Sequence, residues 1–442
     1  MTRPVGDDPA AAQAPHRARF PLIARYLPPF TPRQWRVFGI STTAGFFDSY
    51  DNALLSLVLT RIQRGLAIAE DRLGAMLSMI RLGYLLALVI APLADVFGRR
   101  RLLLYTIVGY TIFTGLSALA PHERSFVAAQ FLARGFSGAE ATISLVILVE
   151  EVDAAVRGWA IGLQGALAIS GYGLAAIVFA AITVIPYGWR GLYGLAMLPL
   201  VLIIPLRRLL PESRRFDETH AGERPRSLVA PLAALVRVYP GRLAMLVGVA
   251  FLNSAGWSPA GLFFPKYLQE ALHWSPGQIS SLVVFGGAVG ILGSIVAGRL
   301  SDRIGRRMLG AGAMLFAPIF AISMYTTRSD AVIGLWIMRL FFDTASATIM
   351  SAYSAELFPT SHRAAAGSAL TVAGTTGAAL GLYAEGLIYG VARSHWVAIR
   401  LLLGFSIAAA FVMLACFPET AGRELEAIAP EASGAAGVGA IG

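Results

Sequence analysis

The residues of this chain best placed to do chemistry are charged side chains set inside long apolar runs. The stretch Phe47-Asp48-Ser49-Tyr50-Asp51 carries two carboxylates three residues apart, which share one face of a helix. Two close carboxylates in a low dielectric cannot both ionise cheaply, so one holds a proton near neutral pH. The competing reading is a structural pair or a salt bridge. Arg134 and Glu140, Arg339 and Asp343, Glu385 and Arg81 interrupt other apolar runs. A charge at the centre of a bilayer costs about 2.5–3.5 kcal/mol, so each needs a partner, a wet cavity or a proton. Arginine cannot shed its charge. Arg339 has Asp343 at i+4, so a pair within one helix is available to it. Arg134 has no such neighbour. It is placed to meet Asp48 or Asp51 across a bundle, or to bind a substrate carboxylate through its planar fork.

Other chemistries find no support. All six histidines fall in loops, tails or helix ends, so no histidine proton relay or metal site is visible. Cys416 is the only cysteine, which excludes an intrachain disulfide and a cysteine-based metal site. No Gly-x-Ser-x-Gly or His-Glu-x-x-His is present. The only lysine, Lys266, follows Pro265 where a Walker A loop requires glycine, so the chain alone does not use ATP. Gly171-x-Gly173 lies in an apolar helix with no strand before it and reads as packing. No cofactor is implied. The net charge of +10 comes almost entirely from arginines clustered between apolar runs, not from a basic stripe interleaved with aromatics. Nucleic acid is therefore not an expected partner.

The elements that position these charges are membrane helices. Of the 442 residues, 56% are hydrophobic and 14% charged, with a mean hydropathy of +0.65. A soluble domain carries roughly 25% charged residues. About twenty apolar residues cross the hydrocarbon core. Twelve stretches qualify: 37–59, 73–94, 102–120, 126–149, 158–184, 188–206, 243–267, 279–298, 308–326, 331–355, 364–390 and 396–417. Glycines four apart, at 158 and 162, 286 and 290, 377 and 381, are expected to let helices pack closely. With the N-terminus inside, 24 of the 36 Arg and Lys residues fall in segments on the cytoplasmic side, which places both termini there. The polar start does not read as a cleavable signal peptide, because the run that follows is long; the first helix acts as an uncleaved insertion signal.

The chain repeats itself. Ala91-Pro92-Leu93-Ala94-Asp95-Val96-Phe97-Gly98-Arg99-Arg100 recurs as Gly298-Arg299-Leu300-Ser301-Asp302-Arg303-Ile304-Gly305-Arg306-Arg307. Glu150 with Arg157 recurs as Glu356 with Arg363, Arg134 as Arg339, and Pro211-Glu212-Ser213 as Pro418-Glu419-Thr420. Four landmarks at nearly one offset indicate a duplicated six-helix unit. The expected division is a cytoplasmic tail (1–36), a six-helix bundle (37–206), a basic cytoplasmic linker (207–242), a second bundle (243–417) and a cytoplasmic tail (418–442).

The repeated loop resembles the signature of the major facilitator superfamily, complete in its second copy and departing at Ala91 and Val96 in its first. Glu356-Leu357-Phe358-Pro359-Thr360 with Arg363 and Gly367 is similar to the loop after the tenth helix in sugar-transporter-like members. The resemblance implies an all-α membrane fold of two pseudo-symmetric six-helix bundles and a cytoplasmic gate. In that gate Asp95 and Arg99 act with Glu150 and Arg157, and Asp302 and Arg306 with Glu356 and Arg363. Such pairs are expected to form when the cytoplasmic side closes and to break when it opens. Gly98 and Gly305 allow the tight turns.

Asp48 and Asp51 resemble the Asp-Gly-aromatic-Asp element of the aromatic acid:proton symporters, with Ser49 for the glycine and Thr60 where a proline is expected. Glu140 fits the glutamate ending that family's glycine-rich run, which Arg134 interrupts. The implied function is alternating-access transport of a small solute. The expected form is proton-coupled symport of a small organic acid by a monomer in the plasma membrane (the inner membrane of a bacterium), with lipid, substrate and protons as partners. A sugar or polyol porter and a drug-efflux antiporter are the alternatives, followed by a sensor that has lost transport. The helix-seven stretch Phe251-Leu252-Asn253-Ser254-Ala255-Gly256-Trp257 lacks the glutamines usual in sugar carriers.

Overall fold

Helix boundaries follow local chemistry. Thr31 caps the first helix: its hydroxyl accepts from the Gln34 amide, the Gln34 side chain accepts from the Thr31 amide at 2.9 Å, and Pro32 opens the first turn. Ser275, Pro276 and Gln278 repeat the device before the eighth helix. Gly98 and Gly305 take φ of +92° and +109° between consecutive helices, where a side chain would be strained. The two repeated loops therefore turn in the same way.

The computed structural model describes residues 30–198, 235–359 and 362–422. Its helices are α1 (Pro32–Leu57), α2 (Glu70–Phe97), α3 (Arg99–Ala118), α4 (Glu123–Glu151), α5 (Ala154–Ala180), α6 (Trp189–Leu195), α7 (Pro240–Glu270), α8 (Pro276–Ile304), α9 (Arg306–Met324), α10 (Ala331–Glu356), α11 (Arg363–Ala392) and α12 (His395–Cys416). A short helix, Leu59–Gly65, follows α1. Proline and 3-10 turns bend α2 near Ala91–Leu93, and α7 breaks at Phe263 between Pro259 and Pro265. Ten of the described helices are long and apolar enough to cross a membrane. α1, interrupted by its two aspartates, packs along α5 among them. The remainder of the sixth span, residues 207–234 of the linker and most of both tails lie outside the described residues. Large apolar side chains such as Val89, Phe285 and Leu401 point outward, as lipid-facing surfaces require.

Among the described residues, the apolar cluster shared by the two halves lies at one end. The largest apolar cluster joins Leu54, Phe126 and Trp189 of the first half to Phe263, Phe264 and Leu403 of the second, at the face opposite the arginine-rich loops. There α2 lies against α11 so closely that a Cβ on Gly74 would meet the Leu382 carbonyl and the Gly386 backbone. α5 meets α8 where Ser280 donates to the Ala176 carbonyl at 2.5 Å. Toward the arginine-rich face the apolar clusters each belong to a single half. Gly158 and Gly162, expected at a tight contact, have no atom within 4 Å of where a side chain would start. Their surface on α5 is open. Gly377 and Gly381, by contrast, do abut the Phe251 and Ala255 carbonyls of α7.

Candidate functional site

In the first half, α1, α2 and α4 bring the charged residues together. Arg134 of α4, 1% exposed, pairs through Nη2 with Asp51 Oδ2 at 3.0 Å and donates to Gln130 Oε1 at 3.0 Å. Of the two aspartates open to Arg134 in the sequence, Asp51 is the one it holds. Asp48, one turn away and only partly buried, accepts from Ser137 and, at 3.2 Å, from Asn52. Tyr84 of α2 in turn donates to Asn52 Oδ1 at 2.6 Å. Glu140 is fully buried beside Asp48, and neither of its carboxyl oxygens has a hydrogen-bond partner among the described residues. The cluster thus holds three carboxyls and one permanent cation. Arg81 lies apart from it, over the Tyr84 ring at 5.0 Å.

The equivalent position of the second half is built differently. Arg339 does not form the expected pair with Asp343. Its guanidinium sits between the rings of Trp257 and Trp336, 4.4 Å from each centroid, and its Nε and Nη1 have no hydrogen-bond partner among the described residues. Asp343 instead accepts from Trp257 Nε1 at 3.1 Å. The aromatic faces supply what a carboxylate was expected to supply. A cavity of about 300 Å³ lies against this group. It is lined by α7, α9, α10 and α11 through Asn253, Ser254, Met314, Asp343, Ser346 and Gly374. Arg339 stands one helical turn beyond Asp343.

The repeated loops pair within each half. Arg99 bonds Glu150 and, at 3.4 Å, Asp95; Arg306 bonds Glu356 and, at 3.1 Å, Asp302. Arg157 donates to the Val152 carbonyl and Arg363 to that of Phe358. In this arrangement the pairs are formed. Among the described residues each clamps helices of one bundle. Arg33 adds a bidentate clamp on Glu151, with both bonds at 2.8 Å. Glu419 accepts from the amides of Arg306 (2.8 Å) and Arg307 (3.1 Å), capping α9 where Gly305 leaves its first amides free. Burial works against the Glu419 charge, but bonds from the amides of Ala421, Arg306, Arg307 and Thr420 outweigh it and hold the carboxyl below the usual range.

At the joined face the structure reveals a cluster that sequence reasoning missed. Lys266 is fully buried and donates to Gln63 (2.6 Å), Glu270 (2.8 Å) and Glu70 (3.3 Å). His395, dismissed as a helix-end residue, is 5% exposed and bridges Glu385 at 2.5 Å and Glu70 at 2.8 Å. Only a lone lysine in an apolar context and the intramembrane Glu385 hinted at it.

The family model described as Major Facilitator Superfamily matches residues 42–248 and 246–439. The chain is 25% identical over 418 residues to a probable 4-methylmuconolactone transporter of Cupriavidus pinatubonensis, covering 90% of this chain and 94% of that one. It is 25% identical over 419 residues to the 4-hydroxybenzoate transporter PcaK of Pseudomonas aeruginosa, covering 87% and 93%. The crystal structure of a D-xylose-proton symporter superposes with a TM-score of 0.74 at 18% identity, over 88% of this chain and 99% of that one. The duplicated loops, the two six-helix units and a family match spanning both of them establish that this chain belongs to the Major Facilitator Superfamily, as a multi-pass membrane transporter and not an enzyme.

Proposed function

We propose that the protein imports a small organic carboxylate together with a proton. The acid meets Arg339 between Trp257 and Trp336, and the proton resides on the Asp48–Glu140 pair. The observation that carries this reading is a buried guanidinium with unpartnered Nε and Nη1 and no bonded carboxylate among the described residues, one helical turn from Asp343 in the lining of a cavity. A planar carboxylate satisfies such donors bidentately, and the flanking indoles suit an unsaturated or aromatic body. Two relatives named for transport of 4-methylmuconolactone and 4-hydroxybenzoate support the substrate class.

In the first half Arg134 pairs with Asp51, and neither Asp48 nor Glu140 forms an ion pair among the described residues. Two adjoining carboxyls then share a proton, and Asp48, the more exposed of them, exchanges it with the cavity. The arginine-rich face is cytoplasmic by the distribution of positive charge, so the arrangement described is open to the cell interior. Both termini lie inside, in the plasma membrane.

The test is thermal unfolding of the purified protein with 4-hydroxybenzoate, D-xylose or a lipophilic cation. The acid is expected to raise the midpoint in the wild type and to lose that effect in Arg339→Gln. A shift by xylose or the cation alone sinks the reading.

A further inference from the structure

The joined face holds a second titratable group that substrate and proton binding at mid-membrane do not use. Gln63 and Glu70 belong to the first half; Lys266, Glu270, Glu385 and His395 belong to the second. The bonds from Lys266 and His395 to Gln63 and Glu70 therefore cross between the halves. They sit beside the place where α2 and α11 touch backbone to backbone at Gly74 and Gly386. Separation of the halves at this face must break them.

The stoichiometry of the histidine is informative. A neutral imidazole has one N–H donor. Here both ring nitrogens face a carboxylate oxygen, Nδ1 that of Glu385 and Nε2 that of Glu70. The two bonds together require one more proton than a neutral ring and two carboxylates contain. Charge points the same way. Glu70, Glu270 and Glu385 bring three negative charges, and Lys266 alone would leave two uncompensated. The remaining groups around the ring are Tyr389 of α11, stacked at 4.2 Å, and the apolar rings of Phe263 and Trp396. Asp71 and Arg393 act on Tyr389 from the rim with opposite signs. Among the described residues no cation bonds the ring. When Glu70 leaves with α2, His395 keeps one acceptor, Glu385, and a neutral ring satisfies it.

We propose that His395, bridging Glu70 and Glu385, is a proton-binding site at the interface of the halves whose occupancy latches the non-cytoplasmic face shut. Closing this face takes up one proton at the ring from the water outside, and opening returns it to the same side through the partly exposed Glu70. The latch moves no proton across the membrane. It makes the resting conformation depend on external acidity: falling external pH favours the closed outer face and the inward-open arrangement. Uptake of one proton changes the ratio of closed to open by up to about tenfold per pH unit. The range in which a histidine acts this way is about pH 5 to 8.

The experiment is double electron–electron resonance on the full chain in lipid nanodiscs. Spin labels are placed at Arg124 and Asp330, exposed positions on the outer face of each half, in a Cys416→Ser background. The short-distance population is expected to grow as pH falls from about 8 to about 5 in the wild type. The same growth is expected in Asp48→Asn, which separates the latch from the coupling group. It should be absent in His395→Gln, whose side chain cannot be protonated. Glu385→Gln, similar in size, is the second variant should His395→Gln not fold, and it too should flatten the response. A wild-type population independent of pH overturns the proposal. So does an undiminished response in either variant, or a response lost in Asp48→Asn and kept in His395→Gln.

Discussion

Arg134 and Arg339 occupy equivalent positions in the two halves, yet one is paired with a carboxylate and the other lies between two indole rings. Arg134 is held by Asp51 and Gln130 inside a network reaching Asp48, Asn52 and Tyr84. Arg339 is held by two indole faces, one helical turn from Asp343 in the cavity lining. Both keep an unpartnered Nε and Nη1 among the described residues, but a guanidinium neutralised by a carboxylate attracts an anionic ligand less than one flanked by aromatic faces. Duplication supplied the same cation twice with different neighbours, and the proposed function assigns the proton to the first half and ligand recognition to the second.

The largest effect expected from this contrast is on stability. Asp51→Asn strands the buried Arg134 and should cost about 3–5 kcal/mol, read as a lowered unfolding midpoint in detergent. The Asp51→Asn/Arg134→Gln double variant should recover much of it. Arg339→Gln leaves no stranded carboxylate bond and should unfold close to the wild type. Equal destabilisation by the two arginine replacements would erase the distinction.

Next in size is ligand affinity. Losing a charge-assisted bidentate bond costs about 1.5–3 kcal/mol, so Arg339→Gln should weaken 4-hydroxybenzoate binding by roughly 10- to 100-fold in titration calorimetry. Arg339→Lys should recover only part, because an ammonium lacks the planar fork.

A third prediction concerns the open face. The Ser280–Ala176 contact sets an antiparallel register between α8 and α5, which carries Gly298 toward Gly158 when that face closes. Cysteines at both positions, in Cys416→Ser, should cross-link faster when substrate and a proton gradient drive cycling. An unchanged rate would mean the halves do not meet along α5 and α8.

The smallest effects belong to the loop clamps. Glu356→Gln removes the Arg306 pair at a partly exposed site and should cost no more than about 1 kcal/mol. Glu419→Gln should cost about 0.3–1 kcal/mol at neutral pH. Its carboxyl is held below the unfolded value of 4.5, so the contribution is full above that value and is lost as pH falls through the folded one. The wild-type and Glu419→Gln unfolding midpoints should therefore converge in acid.

Much of this was legible in the sequence. The helices, the repeat and the charged residues of α1 and α4 follow from hydropathy and spacing, because a charge in an apolar run has few possible environments. Partner choice was harder. Sequence spacing offers Arg339 a carboxylate at i+4, but rotamer and the two tryptophans from α7 and α10 decide otherwise. His395 begins a helix, which reads as exposed; only the packing of α2 and α11 over it makes it buried. The loop motifs were found by pattern, while the pairing of each within its own bundle required the packed helices.

The division of labour between the halves is tested most directly by comparing two transport modes in one proteoliposome preparation. Uptake of labelled 4-hydroxybenzoate driven by an inward proton gradient is measured beside exchange of labelled for unlabelled 4-hydroxybenzoate without a gradient. Asp48→Asn is expected to abolish gradient-driven uptake and leave exchange within a few-fold of wild type, because exchange needs no net proton movement. Arg339→Gln is expected to abolish both. Full gradient-driven uptake by folded Asp48→Asn, or wild-type exchange by folded Arg339→Gln, would contradict the account.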